Sequence, residues 1–382
     1  MNKDLKKLVD ATTKKAPRLI RDAREAGKLK RIVLDSPQLN YAFGGAFTIG
    51  RTYNFFGPYS SGKSTLVNYI GGQLQEKLPA LTGRPDQNVV IVGDYERSFV
   101  AEFAEQNGLL VDDEHLIFMQ PDDIETFVDA VVPMIQTGTI AAIILDSEAA
   151  APTRAQMTNE FGKATFGGAA KAMSESLRKL NIVCSNYDTT YLIVSQERAN
   201  MNPQARLNSQ TGGFALGFYS AWKGRVTKID SIEDKGDTIG INMRIRNYKN
   251  KVGVPFRTAE VKLFYEGGFD SDSEYVDFLV KFGLVELKGS YFTSAKYGFK
   301  SIQGREKLYA WLKAHPEAYD SLKAEVNEKL ATKTVELDSD NREPDDAEDM
   351  ENLAKEAAEE IGLTESIDDE IDEKTLAVEN EE

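Results

Sequence analysis

Residues 53–70 read Tyr53-Asn54-Phe55-Phe56-Gly57-Pro58-Tyr59-Ser60-Ser61-Gly62-Lys63-Ser64-Thr65-Leu66-Val67-Asn68-Tyr69-Ile70. An apolar run of strand type, Tyr53–Phe56, leads straight into Gly57–Ser64, which matches GxxxxGK[ST], and a helical pattern opens at Thr65. A strand, a glycine-rich turn and a helix in that order make a phosphate-binding loop. The glycines let backbone N–H groups wrap phosphate oxygens, and the helix N-terminus adds partial positive charge. Lys63 then reaches β/γ oxygens and Ser64 ligates Mg²⁺. The alternative reading is a glycine-rich turn that caps a helix.

Outward from this segment, short β-branched runs alternate with helical stretches. The runs are Asn88–Gly93, Leu116–Met119, Ala141–Leu145, Tyr191–Val194, Trp222–Ile229, Asn242–Arg246 and Thr258–Phe264. Such alternation predicts an α/β fold with a mostly parallel central sheet covered by helices on both faces. The last three strands are separated by tight turns at Lys235–Gly236 and Lys251–Gly253, so that end of the sheet is expected to be antiparallel. Before the core, Leu5, Leu8, Val9, Leu19, Ile20 and Ala23 recur at helical spacing among lysines, with a break near Pro17. After Gly267–Gly268 comes a small lobe with helices at Glu274–Phe282, Gly304–Lys313 and Pro316–Leu330 and a hairpin near Lys288–Gly289. The expected division is a basic N-terminal helical segment (1–31), an ATPase core (32–268), a small α/β lobe (269–330) and an acidic, solvated tail (331–382).

The composition limits the chemistry. Of 382 residues, 41% are apolar and 28% charged, which describes a soluble chain with a sizeable core. One cysteine and two histidines leave no intrachain disulfide, zinc cluster or Cys/His catalytic set. The longest purely apolar run, Ile140–Leu145, is far short of the roughly 18 residues of a membrane span, and a cytoplasmic location is expected. The net charge of −15 is an average of unlike parts. Residues 333–382 hold 21 acidic and four basic side chains, whereas residues 1–332 hold 40 acidic and 42 basic. Residues 1–31 carry 11 Lys/Arg against four acids. Asymmetry of this kind suggests electrostatic contact with a polyanion or a sister subunit, with the tail competing for basic surface on the small lobe.

A phosphate loop needs a second anchor for its metal. Ala141–Leu145 ends in Asp146-Ser147, an apolar strand closed by an acid, and Asp146 is expected to hold Mg²⁺ through water. The base that activates water is Glu96, just past the strand ending at Gly93, with Glu148 as its rival. Lys249 and Lys251 alternate along a strand and so share a face, either as solvated surface or as groups that reach another subunit.

Six motifs in order resemble the bacterial RecA-type recombinases, including phage-encoded ones. Gly57–Thr65 is similar to that family's phosphate loop, Asp94-Tyr95-Glu96 to its strand ending in the catalytic glutamate, and Asp146-Ser147 to its Walker B pair. Ser195-Gln196-Glu197-Arg198 resembles the strand end whose glutamine senses the γ-phosphate and opens the second DNA-binding loop. Residues 211–219, with Gly212 and Gly213, look like the signature that closes that loop. Lys249-Asn250-Lys251 resembles the paired lysines that reach the neighbouring subunit's ATP. The resemblance implies that Phe103 stacks on adenine and that Phe166 and Met201 wedge between bases. Lys171, Arg178, Arg198 and Arg206 would contact DNA phosphates. A packing role is the alternative for each ring and for Met201. Gly217, Trp222, Lys223, Glu148, Glu197 and Asn200 depart from the family pattern.

What the resemblance implies is an ATP- and Mg²⁺-dependent protein that forms helical filaments on single-stranded DNA and pairs it with homologous duplex. Single-strand-binding and mediator proteins are candidate partners, and the setting is a bacterial cell or phage-infected host. A hexameric helicase on the same core is the alternative, and a small-molecule phosphotransferase a more distant one.

Overall fold

The computed structural model describes residues 2–16, 19–20, 22–158, 168–198, 209–210 and 213–332. Helices α1 (Lys3–Lys15) and α2 (Ala23–Gly27) precede a short antiparallel pair, β1 (Arg31–Ile32) and β2 (Phe47–Thr48), which brackets α3 (Pro37–Ala42). Strands and helices then alternate as β3 (Thr52–Gly57), α4 (Lys63–Thr82), β4 (Val89–Asp94), α5 (Ala101–Gln106) and β5 (Leu116–Met119). The alternation continues with α6 (Ile124–Gln136), β6 (Ile140–Asp146), α7 (Arg154–Thr158), α8 (Gly168–Tyr187) and β7 (Thr190–Arg198). After β8 (Ser209–Gln210) and α9 (Gly213–Tyr219) come β9 (Trp222–Asp234), β10 (Asp237–Asn250), β11 (Thr258–Phe264) and β12 (Gly268–Phe269). The last part holds α10 (Ser271–Lys281), β13 (Glu286–Lys288), β14 (Tyr291–Ser294), β15 (Phe299–Gln303), α11 (Arg305–Ala314) and α12 (Pro316–Thr332).

The continuous apolar runs of β3, β4 and β6 are buried almost throughout, as strands covered on both faces must be. They lie inside one ten-stranded sheet of order β12-β11-β10-β9-β3-β7-β6-β4-β5, with β8 paired to β7. From β3 to β5 all neighbours are parallel. Strand β9 joins β3 in parallel and then turns through β10, β11 and β12 in antiparallel fashion. One face packs Leu66, Ile70 and Leu74 of α4 against Leu192 and Val194. The other packs Val128 of α6 and Leu177 and Leu180 of α8 against Ile143 and Ile193. A third apolar cluster lies in α10–α12 with β14 and β15 and includes Tyr41 of α3.

Several elements differ from the sequence expectation. Strands β9 and β10 run 13 and 14 residues, well beyond the apolar stretches that suggested them. Their outer halves are mostly exposed or half-buried, so no alternating apolar pattern marks them. Strand β15 was not anticipated. The second DNA-binding loop, expected to open at Ser195–Arg198 and to close at residues 211–219, has a short ladder at its base, with Glu197 opposite Gln210 and Arg198 opposite Ser209. Backbone pairing of this kind does not depend on side-chain polarity. The acidic tail from residue 333 lies outside the described residues.

Candidate functional site

Parallel register sets Gly57 of β3 beside Gln196 of β7 and Asp94 of β4 beside Asp146 of β6. Motifs far apart in sequence thus share the C-terminal rim of the sheet. Because β3 and β4 are separated by β7 and β6, the rim lies where strand order reverses, the usual ligand position in such sheets. A cavity of about 220 Å³ opens there, lined by residues 59–65 with Glu96, Asp146, Val194 and Gln196.

The loop geometry explains its glycines. A Cβ on Gly57 would collide with the Val226 carbonyl of β9, and Gly62 has φ +86 with the Met243 thioether 2.8 Å from where its Cβ would lie. Gly62 is also the N-cap of α4 and supplies no side-chain cap. The first N–H groups of this 20-residue helix therefore face the cavity, ready for an anion.

Lys63 is buried, and its ammonium donates to the carbonyls of Gly57 (3.0 Å) and Pro58 (2.6 Å). Burial lowers its pKa, while Asp146, Glu96 and Glu197 act to raise it. Asp146 is pushed up to about 6 by burial, against a hydrogen bond from Ser64. Its Oδ1 is buried without a hydrogen-bond partner. An orphaned carboxylate oxygen beside the Ser64 hydroxyl suits Mg²⁺, which takes hard oxygen ligands, one or two of them from protein, and completes its shell with water and substrate phosphate.

Glu96 follows β4, and its Oε1 accepts hydrogen bonds from the Ser147 hydroxyl (2.7 Å) and from the Gln196 amide. Glu148 does not line the cavity. It starts a 3-10 turn, is buried, and its charge acts on the Tyr191 phenol in the opposite core. Phe103 of α5 lines an adjoining cavity of about 110 Å³ that shares Ser64, Thr65 and Asp146 with the first.

Lys249 lies on β10, while Lys251 falls just beyond the strand end. The Lys249 ammonium donates to the carbonyls of Gly217 and Phe218, and Lys251 donates to Phe218 (3.0 Å). Both thus meet at the C-terminal end of α9, a partner in the same chain that the sequence reading did not supply. Burial and the neighbouring Lys251 and Lys223 lower Lys249 to about 8. Of the proposed DNA contacts, Phe166, Met201, Arg206 and Gly212 lie outside the described residues. Lys171 and Arg178 are exposed on α8, and Arg178 Nε donates to the Tyr219 phenol (3.0 Å). Arg198 ends β7 and Gly213 opens α9. Sequence reasoning missed the Ser147 hydroxyl as a Glu96 partner and missed Arg225, which pairs with Glu197 across the end of β3. A separation of 28 residues leaves no local signal for that second pair.

A phosphate loop, a strand-end acid and a glutamate held by a strand-end glutamine define a P-loop nucleotide-binding protein. Comparison with known proteins narrows the class. The model of the RecA N-terminal domain matches residues 7–270. The chain is 31% identical to Protein RecA of Rickettsia massiliae over 313 residues, covering 80% of this chain and 87% of the relative. It is 32% identical to Protein RecA of Corynebacterium glutamicum over 310 residues (81% and 79%), and 33% identical to Protein RecA of Anaplasma marginale over 313 residues (80% and 82%). The chain belongs to the RecA family of bacterial recombinases, and its function is ATP-dependent homologous recombination of DNA; a helicase role is not favoured. No helix among the described residues is long and apolar enough to cross a membrane.

Proposed function

We propose that ATP is bound with Mg²⁺ in the cavity at the β3, β4, β6 and β7 ends, that its hydrolysis is coupled to DNA strand exchange, and that Glu96 is the general base. The observation that carries this reading is the convergence of Ser147 and Gln196 on Glu96 Oε1 at the mouth of the phosphate-loop cavity. Lys63 exchanges its bonds to the Gly57 and Pro58 carbonyls for β/γ-phosphate oxygens. Its ammonium is already dehydrated, so the exchange carries little further desolvation. The N–H groups of Gly62–Thr65 hold the phosphates, with Pro58–Ser61 shaping the loop. Ser64, and Asp146 through water, would hold Mg²⁺, which supplies charge neutralisation to the phosphates. Glu96 takes the proton of the attacking water, and Gln196, on the strand that leads to residues 199–208, senses the γ-phosphate.

Lys249 and Lys251 are read as groups that complete a neighbouring subunit's ATP site in the filament, and Phe103 as the adenine platform. Phe166, Lys171, Arg178, Arg198, Met201, Arg206, Gly212 and Gly213 are assigned to single-stranded and duplex DNA contact. The division 1–31, 32–268, 269–330 and 331–382 is retained, supported by the separate apolar cluster of the third segment. Single-strand-binding and mediator proteins, and a bacterial cytoplasm or phage-infected host, complete the proposal.

A strand-exchange assay with and without ATP tests the coupling. Lys63→Ala is expected to abolish ATP turnover and exchange while circular dichroism stays native, since the sheet does not depend on this ammonium. Exchange by wild type at full rate without ATP, or by Lys63→Ala with ATP, would contradict it.

A further inference from the structure

Where β3 ends at Gly57 and leaves the sheet as the phosphate loop, its two sheet neighbours, β7 and β9, flank the gap. Val194 of β7 and Val226 of β9 pack in the core under α4, whereas Ile193 packs in the opposite core. Strand alternation therefore puts Gln196 on the α4 face, and Glu197 and Arg225 together on the other. There Arg225 closes the gap, donating from Nε (2.6 Å) and Nη2 (3.0 Å) to the two oxygens of Glu197. The carboxylate side chain is only 2% exposed while the guanidinium is half-buried, so the pair is bidentate and its acid is largely dehydrated. Tyr248 of β10, also buried, faces the same guanidinium, and its ring packs on Phe56 of β3 at 5.8 Å. Tyr248 is the residue before Lys249.

We propose that Arg225 is a positioning residue of the ATPase. By gripping Glu197 on one face of β7 it fixes Gln196 on the other face against Glu96, and by holding Tyr248 it ties this strand end to the strand that presents Lys249. Two successive strand residues share one backbone, so the grip on Glu197 holds the end of β7 and with it the point from which the Gln196 side chain reaches Glu96. The arrangement also keeps a third carboxylate, beside Glu96 and Asp146, neutralised close to where phosphate binds. The inference rests on the reading of Gln196 and Glu96 as ATPase residues.

The test uses the full chain with ATP, Mg²⁺ and single-stranded DNA. Arg225→Met alone leaves a buried carboxylate unpaired and is expected to lower both Tm and kcat. Arg225→Met/Glu197→Gln removes both charges, so Tm should return close to wild type. In that double variant kcat should stay about tenfold down, with KM for ATP within about threefold, because the strut is still missing. Arg225→Lys, which keeps one charged contact, should recover part of kcat. A double variant with wild-type kcat, or kcat that simply follows Tm through the series, would overturn the proposal. Glu96→Gln and Gln196→Ala run alongside. If these two turn over like wild type, the reading of the site itself fails. If they are slow while the double variant is fully active, the positioning role alone fails.

Discussion

Two hydrogen bonds onto one oxygen, from Ser147 and Gln196, hold the Glu96 carboxylate at the cavity rim and fix the direction of its lone pairs. A base held in this way loses no reorganisation energy when water arrives, and its amide analogue keeps the size but cannot take a proton. Glu96→Gln is therefore expected to bind ATP as wild type does yet hydrolyse it about 10²- to 10⁴-fold more slowly. Glu148→Gln should keep hydrolysis, because its carboxylate is buried toward Tyr191 rather than toward the phosphate loop. Single-turnover hydrolysis beside equilibrium nucleotide binding measures both, and the opposite pattern would transfer the role to Glu148. Two candidate acids, Glu96 past the end of β4 and Glu148 past the end of β6, were visible in the sequence. What it could not show was the path of the chain past Asp146, where the strand stops and a 3-10 turn carries Glu148 out of the cavity lining.

Among the elements, the phosphate loop and the strand closed by Asp146 were legible because each is a continuous stretch whose order of strand, turn and helix is written locally. The hairpin of β9 and β10 was legible in its turn and its antiparallel pairing but not in its length, since exposure of its outer part erases the alternation that marks a half-buried strand. The seat of Lys249 and Lys251 was also hidden, because their partners are backbone carbonyls at the end of α9, and a carbonyl has no letter in the sequence. That seat makes chemical sense, since cations are favoured at a helix C-terminus. It also means the two ammonium groups must leave α9 if they are to act on a neighbour's phosphates. In mixtures of Lys63→Ala with Lys249→Ala/Lys251→Ala subunits, some interfaces join an intact phosphate loop to intact lysines. ATPase activity should then reappear on mixing although each variant alone is inactive. Turnover per mixed filament measured across mixing ratios checks this, and co-assembled filaments with no recovered activity would remove the shared-site reading.

For the whole molecule, one link between the sheet core and the C-terminal lobe is ionisable. The lobe's basic side chains are largely matched from within: Lys288 by Glu286, Lys296 by Glu325, Arg305 by Asp277 and Lys313 by Asp272, while Lys281 lies over the Tyr41 ring. Each of these cations is largely exposed, so it stays within reach of a competing anion. At the junction, Glu274 of α10 receives the Ser36 hydroxyl (2.5 Å) and the Gln38 N–H (3.2 Å) at the start of α3. Its other oxygen is buried without a partner, and burial raises its pKa to about 8, with Asp270 and Asp277 adding to the rise. The folded chain thus holds this proton at a pH where the unfolded chain, near 4.5, has lost it. Stability must then fall as pH rises toward 8, with a slope from this group of at most about 1.4 kcal/mol per pH unit. Glu274→Gln keeps an acceptor for both bonds and never ionises. The two tryptophans report on separate regions, Trp222 in the sheet core and Trp311 beside Phe299 in the lobe. Urea unfolding followed at Trp311 should show the wild-type midpoint dropping between about pH 4.5 and pH 8 and levelling off above, while that of Glu274→Gln drops less, the two curves meeting at about pH 4.5 and below. Parallel curves for the two proteins across that range would show that the docking of the lobe does not depend on this proton.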